Sequence, residues 1–307
     1  MSNSPKVTVI GASNVDLIGL AKEKLIFEDS NIGTIDTILG GVGRNIAENL
    51  KHLGFDVDFL SVFADDEFAH TLKKSCKDFG ISIEHSLTVK ESKTSLYVAI
   101  MDHYRDLALA LSAMDIYDDI PDSFILDNLD VIAENEFCVL ETNLPVATLE
   151  LVTEKLPNTK FALEAVSAKK ALKALSVIDR LHILKCNYKE AELLSDMTVQ
   201  YESDFEKIIA HFLGMGVEKV FITLGKDGVA YGDKNEIFIN KNNILTPVNT
   251  NGAGDAFMAG LIYGETKGLD LYDTVNFATG CAQITIQHKN AVHPDICEQM
   301  VLKTMMQ

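Results

Sequence analysis

The chain has 307 residues and is 47% hydrophobic, enough to bury a sizeable core, so disorder is not the expectation. Its 27 Lys and Arg against 45 Asp and Glu leave a net charge of −18, which repels a phosphate backbone and argues against nucleic acid as a partner. Five scattered cysteines with no Cys-x-x-Cys pair argue against a zinc site or disulfide framework, and no apolar run nears the roughly 18 residues of a membrane span, so a soluble cytoplasmic protein without a membrane partner is expected.

Along the chain, short β-branched runs at Val7–Ile10, Val57–Val62, Phe137–Glu141, Lys160–Leu163, His182–Leu184 and Val220–Thr223 predict strands. Helical patterns at Asn45–Leu53, Phe68–Phe79, Val146–Leu156, Ala168–Leu175, Lys189–Leu194 and Phe205–Leu213 lie among them. This βαβα alternation predicts an α/β fold with a parallel sheet covered on both faces. Leu17–Leu39 and Thr94–Leu111 break the rhythm and read as a small β lid inserted into one domain, 1–307. A hairpin, Gly228–Tyr231 with Glu236–Ile239, and two long helices, Ala253–Lys267 and Leu271–Gln287, are expected to close the chain.

Three polar motifs fall at the ends of these elements. Gly11-Ala12-Ser13-Asn14-Val15-Asp16 follows the first strand, which puts Asn14 and Asp16 at the carboxyl edge where open α/β sheets bind ligands. Their side chains suit sugar hydroxyls, and a polar turn would use them equally well. Gly40-Gly41-Val42-Gly43-Arg44-Asn45 runs into a helix, and Asn45 can both donate to and accept from a hydroxyl. An N-capped glycine turn explains the same residues.

The third motif, Asn249-Thr250-Asn251-Gly252-Ala253-Gly254-Asp255, opens directly into a helix. Free N–H groups and the helix dipole make Gly252, Ala253 and Gly254 a site for the charge on a transferring phosphoryl group. Asp255 is placed to take the proton of an attacking hydroxyl. The plain alternative is a tight loop with a first-turn acid. No Gly-x-x-x-x-Gly-Lys-Ser/Thr occurs, and Ile46 stands where a dinucleotide fingerprint has its third glycine.

In this order, the motifs resemble the signatures of the ribokinase-like (PfkB) carbohydrate kinases. Asn187-Tyr188-Lys189-Glu190 and Thr223-Leu224-Gly225-Lys226-Asp227-Gly228 extend the resemblance over nearly the whole chain. It implies a three-layer αβα sandwich with a mostly parallel central sheet and a small β lid. It also implies an ATP-dependent kinase in which Asn14, Asp16, Gly41 and Asn45 hold a small-molecule sugar or nucleoside. Gly252, Ala253 and Gly254 then form the anion hole and Asp255 is the base. Asn187 and Glu190 organise Mg²⁺ and the phosphates, Glu190 on the metal side, while Thr223, Gly225 and Gly228 line the nucleotide groove with Asn276 near the adenine. Read without the family, Asn187 and Glu190 are a polar helix start.

The family motif usually begins with Asp where this chain has Asn249, which brings no charge to a monovalent cation, so activation by K⁺ is not expected. Within the family, Asp29-Ser30-Asn31-x-Gly33 and Val166-Ser167-Ala168 resemble members that act on a nucleoside. Ser30 and Asn31 on the lid could pair with a pyrimidine edge or simply make a polar turn. A kinase of a free pentose is the alternative. A non-catalytic nucleoside-binding protein is a third reading, disfavoured by the intact Gly-Ala-Gly-Asp. An apolar lid face could pair two chains as a homodimer.

Overall fold

Alternate residues of the central strands enter two different cores. Val7, Val9, Phe137, Val139, Ala162, Ile183 and Phe221 belong to one buried cluster, while Ile10, Cys138, Leu140, Phe161, Leu163, Leu184, Val220 and Ile222 belong to the other. A strand buried on both faces must be apolar at both phases of its two-residue period, which is why these runs read as continuous.

The computed structural model describes residues 4–241 and 246–305. The strands are β1 (Lys6–Ile10), β2 (Asn14–Ala21), β3 (Gly33–Gly40), β4 (Asp56–Leu60), β5 (Val62–Ala64), β6 (Leu87–Val89), β7 (Leu96–Met101), β8 (Leu107–Ala113), β9 (Phe137–Glu141), β10 (Lys160–Glu164), β11 (Leu181–Asn187), β12 (Lys219–Thr223), β13 (Val229–Asp233) and β14 (Ile237–Asn240). The helices are α1 (Val42–His52), α2 (Glu67–Asp78), α3 (Ser123–Leu126), α4 (Leu129–Ala133), α5 (Val146–Lys155), α6 (Ala168–Ala171), α7 (Tyr188–Ser195), α8 (Ser203–Gly214), α9 (Ala253–Lys267), α10 (Leu271–Ile286) and α11 (Glu298–Met305).

The main sheet has the order β14-β13-β12-β11-β10-β9-β1-β4. Pairing is parallel from β4 through β12, and the β13–β14 hairpin adds two antiparallel strands at one edge. One core packs α1, α2, α9 and α10 against the sheet, the other α5, α7 and α8, giving the expected three-layer αβα sandwich. Tyr263 of α9 stacks on Phe277 of α10 with ring centroids 4.0 Å apart, which fixes the helix whose first turn carries Asp255.

A second sheet, β3-β2-β7-β8, is built from the two segments that break the βαβα pattern. Its register places Asp16 opposite Tyr97 on one face. The other face carries Ile35, Leu109 and Leu111, which are 75%, 56% and 63% exposed.

Several boundaries differ from expectation. The run Val57–Val62 is split, because the Ser61 backbone bonds to Ser86 Oγ and the Leu87 N–H, diverting the chain into the small parallel pair β5–β6. Helix α1 begins at Val42, since the Asn45 N–H already donates to the Gly41 carbonyl at 2.8 Å. The pattern Ala168–Leu175 resolves into α6 followed by a 3₁₀ turn at Leu172–Ser176. The hairpin strands are Val229–Asp233 and Ile237–Asn240 rather than Gly228–Tyr231 and Glu236–Ile239, because Gly232 pairs with Ile237 inside the ladder.

Candidate active site

The start of α1 lies directly on the β1–β2 connection. Gly41 has φ 105°, and a Cβ there would sit 2.5 Å from the Ala12 carbonyl oxygen, so only glycine allows this approach. The Arg44 N–H donates to that carbonyl at 3.2 Å. The Arg44 guanidinium, paired with Glu48 at 2.7 Å, also donates to the Leu39 carbonyl and so ties the end of β3 to α1.

Asn14 Nδ2 donates to Asp16 Oδ1 at 2.5 Å. Burial raises the Asp16 carboxyl above its ordinary value, with Asn14 opposing the shift. Asn45 Nδ2 donates to Asp255 Oδ2 at 2.8 Å, while the buried Asn45 Oδ1 has no partner among the described residues. Asn45 thus meets Asp255, while Asn14 and Asp16 bond to each other and Gly41 packs on the Ala12–Asn14 backbone beside them.

Gly252 caps α9 at φ 78°, and a Cβ there would lie 1.9 Å from the Ala291 carbonyl oxygen. Ala253, Gly254 and Asp255 form the first turn. Burial pushes the Asp255 carboxyl up to about 6, against the lowering influence of Asn45 and Lys185.

Three charged groups at this edge escaped the sequence reading. Lys185, on β11, forms a buried ion pair with Glu164, the last residue of β10, at 2.7 Å. Burial works against the Lys185 charge, but Glu164, Glu190 and Asp255 outweigh it and hold the ammonium above its usual range. A Cβ on Gly254 would meet Lys185 Nζ at 2.7 Å, so this cation lies against the start of α9. Glu141, the last residue of β9, accepts from the Ala12 and Asn143 N–H groups at 2.5 and 2.6 Å, and burial lifts its carboxyl to about 7. The available signal was a charged residue inside or ending an otherwise apolar strand.

Asn187 and Glu190 make a reciprocal capping box at the start of α7. Asn187 Oδ1 accepts from the Glu190 N–H at 3.0 Å, and Glu190 accepts from the Asn187 N–H at 2.7 Å and from Nδ2 at 2.6 Å. Thr223, Gly225 and Gly228 line a cavity of about 320 Å³, which Thr250, Ala253, Gly254 and, from α10, Thr279 and Gln283 line as well. That volume suits a small organic ligand. Asn276 lines the adjoining cleft, which shares Thr279 and Gln283 with the first.

Ser30 and Asn31 sit on the exposed turn joining β2 to β3, at the end of the lid remote from Asp16, about 17 Å along the strand. Asn31 is spent on that turn: Oδ1 accepts from the Ile26 N–H at 2.8 Å and Nδ2 donates to the Ile26 and Asp29 carbonyls. This conformation does not bring the pair to the Asp16–Asp255 cluster. Asn249 donates through Nδ2 to the Lys289 carbonyl at 2.9 Å and accepts from the Asn251 N–H at 3.0 Å.

Comparison with known proteins gives the family and the fold. The model of the pfkB family carbohydrate kinases matches residues 4–296. The pseudouridine kinase of Escherichia coli is 30% identical over 301 residues, covering 96% of this chain and 95% of that protein. A guanosine-inosine kinase of Exiguobacterium acetylicum is 24% identical, covering 96% of this chain and 99% of the other. An Arabidopsis thaliana ribokinase, solved with ribose and ATP, superposes with a TM-score of 0.88 at 19% identity over 99% of both chains.

Proposed function

Since the chain belongs to the pfkB family of carbohydrate kinases and is a sugar or nucleoside kinase, we propose that it transfers the γ-phosphoryl group of ATP to the 5′ hydroxyl of pseudouridine. The observation that carries the chemistry is the 2.8 Å contact between Asn45 and Asp255, which sets a sugar-binding amide beside a buried carboxylate in the first turn of α9. For the acceptor, support comes from the likeness to the Escherichia coli pseudouridine kinase and from Asp29-Ser30-Asn31-x-Gly33.

In this reading Asn14, Asp16 and the backbone at Gly41 hold the ribose hydroxyls, and the unpartnered Asn45 Oδ1 accepts from one of them. Asp255 takes the 5′ O–H proton as that oxygen bonds to the γ-phosphorus and the bond to the ADP oxygen breaks. The N–H groups of Gly252, Ala253 and Gly254, with the Lys185 ammonium against them, receive the developing charge. Thr223, Gly225 and Gly228 line the donor cleft, with Asn276 beyond it toward the adenine.

Magnesium would reach the site on the ATP phosphates and offset their charge. Glu190 has both oxygens engaged by Asn187 and suits contact with the ion's waters rather than with the ion itself. The four-stranded sheet serves as the lid of one kinase unit, with Ser30 and Asn31 brought to the base on closure, and its exposed apolar face is where two chains would pair as a homodimer. A cytoplasmic setting is part of the same proposal.

The test is ADP release with pseudouridine, uridine, inosine, ribose and fructose 6-phosphate. Pseudouridine is expected to give the highest kcat/KM. A different preferred acceptor would overturn the substrate, and no ADP with any of them would overturn the mechanism.

A further inference from the structure

The β1–β2 connection is held at Ser13, the residue before Asn14, by a buried phenol. Tyr117 lies just past the end of β8, where the chain returns from the lid, and only 1% of it is exposed. Its hydroxyl accepts from the Ser13 N–H at 2.8 Å, contacts Ser61 Oγ at 3.0 Å, and lies 3.2 Å from both the Ser13 and Val62 carbonyl oxygens. Ser13 and Ser61 are equally buried, and their hydroxyls lie 3.4 Å apart.

Two of these residues flank the lid, and the third divides the main sheet from the two-stranded one. Ser13 immediately precedes β2, Tyr117 closely follows β8, and Ser61 divides β4 from β5. A buried phenol usually finds a hydrogen-bond partner, but any carbonyl in the core would suffice for that. Here the hydroxyl instead accepts from the N–H of the residue directly before Asn14, and its single proton faces that residue's carbonyl and the Val62 carbonyl. The orientation of the Ser13 peptide sets where β2 begins, and hence where Asn14 and Asp16 point relative to Asp255.

We propose that Tyr117 is a positioning residue for the acceptor: through Ser13 it aims Asn14 and Asp16 and ties the entry and exit of the lid together. The inference rests on the reading that Asp16 holds the acceptor. The Tyr117 phenol touches neither substrate nor the reacting atoms, so its signature is a split in kinetic constants, because losing precise placement of one substrate raises the KM for that substrate alone when it contributes binding shared by ground and transition states.

The experiment uses Tyr117→Phe, which keeps the buried ring and removes only the hydroxyl, assayed with the fastest acceptor among pseudouridine, uridine, inosine and ribose. The expected result is a roughly tenfold rise in acceptor KM, with the KM for ATP unchanged and kcat within about threefold. An unchanged acceptor KM, or an equal rise in both KM values, overturns the proposal, since a purely structural role would loosen both sites or neither. Should Tyr117→Phe fail to fold, Ser61→Ala decides. It withdraws one partner of the phenol, and an acceptor-selective rise of about threefold supports the proposal where no rise overturns it. Asp16→Ala run in parallel separates the two levels. If it leaves acceptor KM unchanged, the acceptor-site reading fails and this inference with it. If it raises KM while Tyr117→Phe does not, this inference alone fails.

Discussion

The side-chain amide of Asn45, in the first turns of α1, donates to the carboxylate of Asp255, in the first turn of α9, across 2.8 Å and 210 residues of sequence. A base held this way works only when ionised, and burial raises the Asp255 carboxyl to about 6. The rate should therefore fall as pH drops below about 6 and level off above it. Asp255→Asn should keep nucleoside affinity and lower kcat by about 10²- to 10⁴-fold, without the acidic limb of the profile. A pH–rate series on both proteins, with a binding titration, checks it.

The same shift has a consequence for stability. The folded-state value of Asp255 lies above its ordinary 3.8, so the folded protein favours the protonated form. Its contribution is fully present below about pH 4 and is lost as pH rises through about 6. The difference corresponds to roughly 3 kcal/mol. Asp255→Asn removes this penalty and keeps an acceptor for the Asn45 amide. It should therefore unfold at higher urea than wild type at pH 8 and at nearly the same urea at pH 4. Equal midpoints at pH 8 would contradict the assignment.

Much of this fold was legible because its strands are buried on both faces and its helices on one, so each period survives in the sequence. The lid could be read from Leu17–Leu39 and Thr94–Leu111 because those segments interrupt the alternation. The pair β5–β6 is too short to show a period, and it forms only because Ser86 and Leu87 capture the Ser61 backbone. The glycine motifs pointed to Gly41 and Gly252 because a positive φ restricts the residue to one type. Lys185 and Glu164 escaped because a charge on a buried strand marks a site only once sheet order supplies its partner, and Glu141 because its partners are the backbone N–H groups of Ala12 and Asn143. The placement of Asn276 depends on the angular phase of α10, and that of Ser30 and Asn31 on how far a lid strand carries them from Asp16.

The Lys185–Glu164 pair allows a separation of stability from activity. Lys185→Met leaves the Glu164 carboxylate buried without its counter-ion and should cost about 3–5 kcal/mol. Replacing both, as Lys185→Met with Glu164→Leu, should restore most of that stability. If the ammonium stabilises charge at the anion hole, activity stays at least about tenfold down in the restored protein. Urea midpoints and kcat for the two variants provide the comparison, and recovery of kcat along with stability would make the pair purely structural.

Asn249 bears on cation dependence. Its Nδ2–H donates to the Lys289 carbonyl, an arrangement a carboxylate cannot make, so the amide satisfies with a proton an oxygen that an acid at this position would leave available to a cation. The wild type should show less than about twofold activation when K⁺ replaces Na⁺. Asn249→Asp should lose rate in Na⁺ and regain it in K⁺, because two facing oxygens then need a cation between them. Initial rates of both proteins in chloride salts at constant ionic strength test the point, and strong K⁺ activation of the wild type would count against it.

The acceptor itself can be tested through the lid. Pseudouridine differs from uridine in presenting an extra ring N–H where uridine has C–H, and an oxygen on a closed lid could accept it. In the present conformation Asn31 holds its own turn and Ser30 is exposed at the tip, so reading the base requires the β2–β3 turn to move toward Asp16. Closure would also exclude water that otherwise hydrolyses ATP. A site built to satisfy that N–H would favour pseudouridine over uridine by about 1–3 kcal/mol, or roughly 5- to 150-fold in kcat/KM. Ser30→Ala and Asn31→Ala should shrink this ratio while sparing a riboside the wild type does not discriminate. Asn31→Ala should do more, because it also loses the bonds to Ile26 that shape the turn. Crystals grown with and without pseudouridine should differ in the position of this turn. Equal kcat/KM for the two nucleosides in the wild type would remove pseudouridine as the acceptor while leaving the kinase chemistry of Asp255 in place.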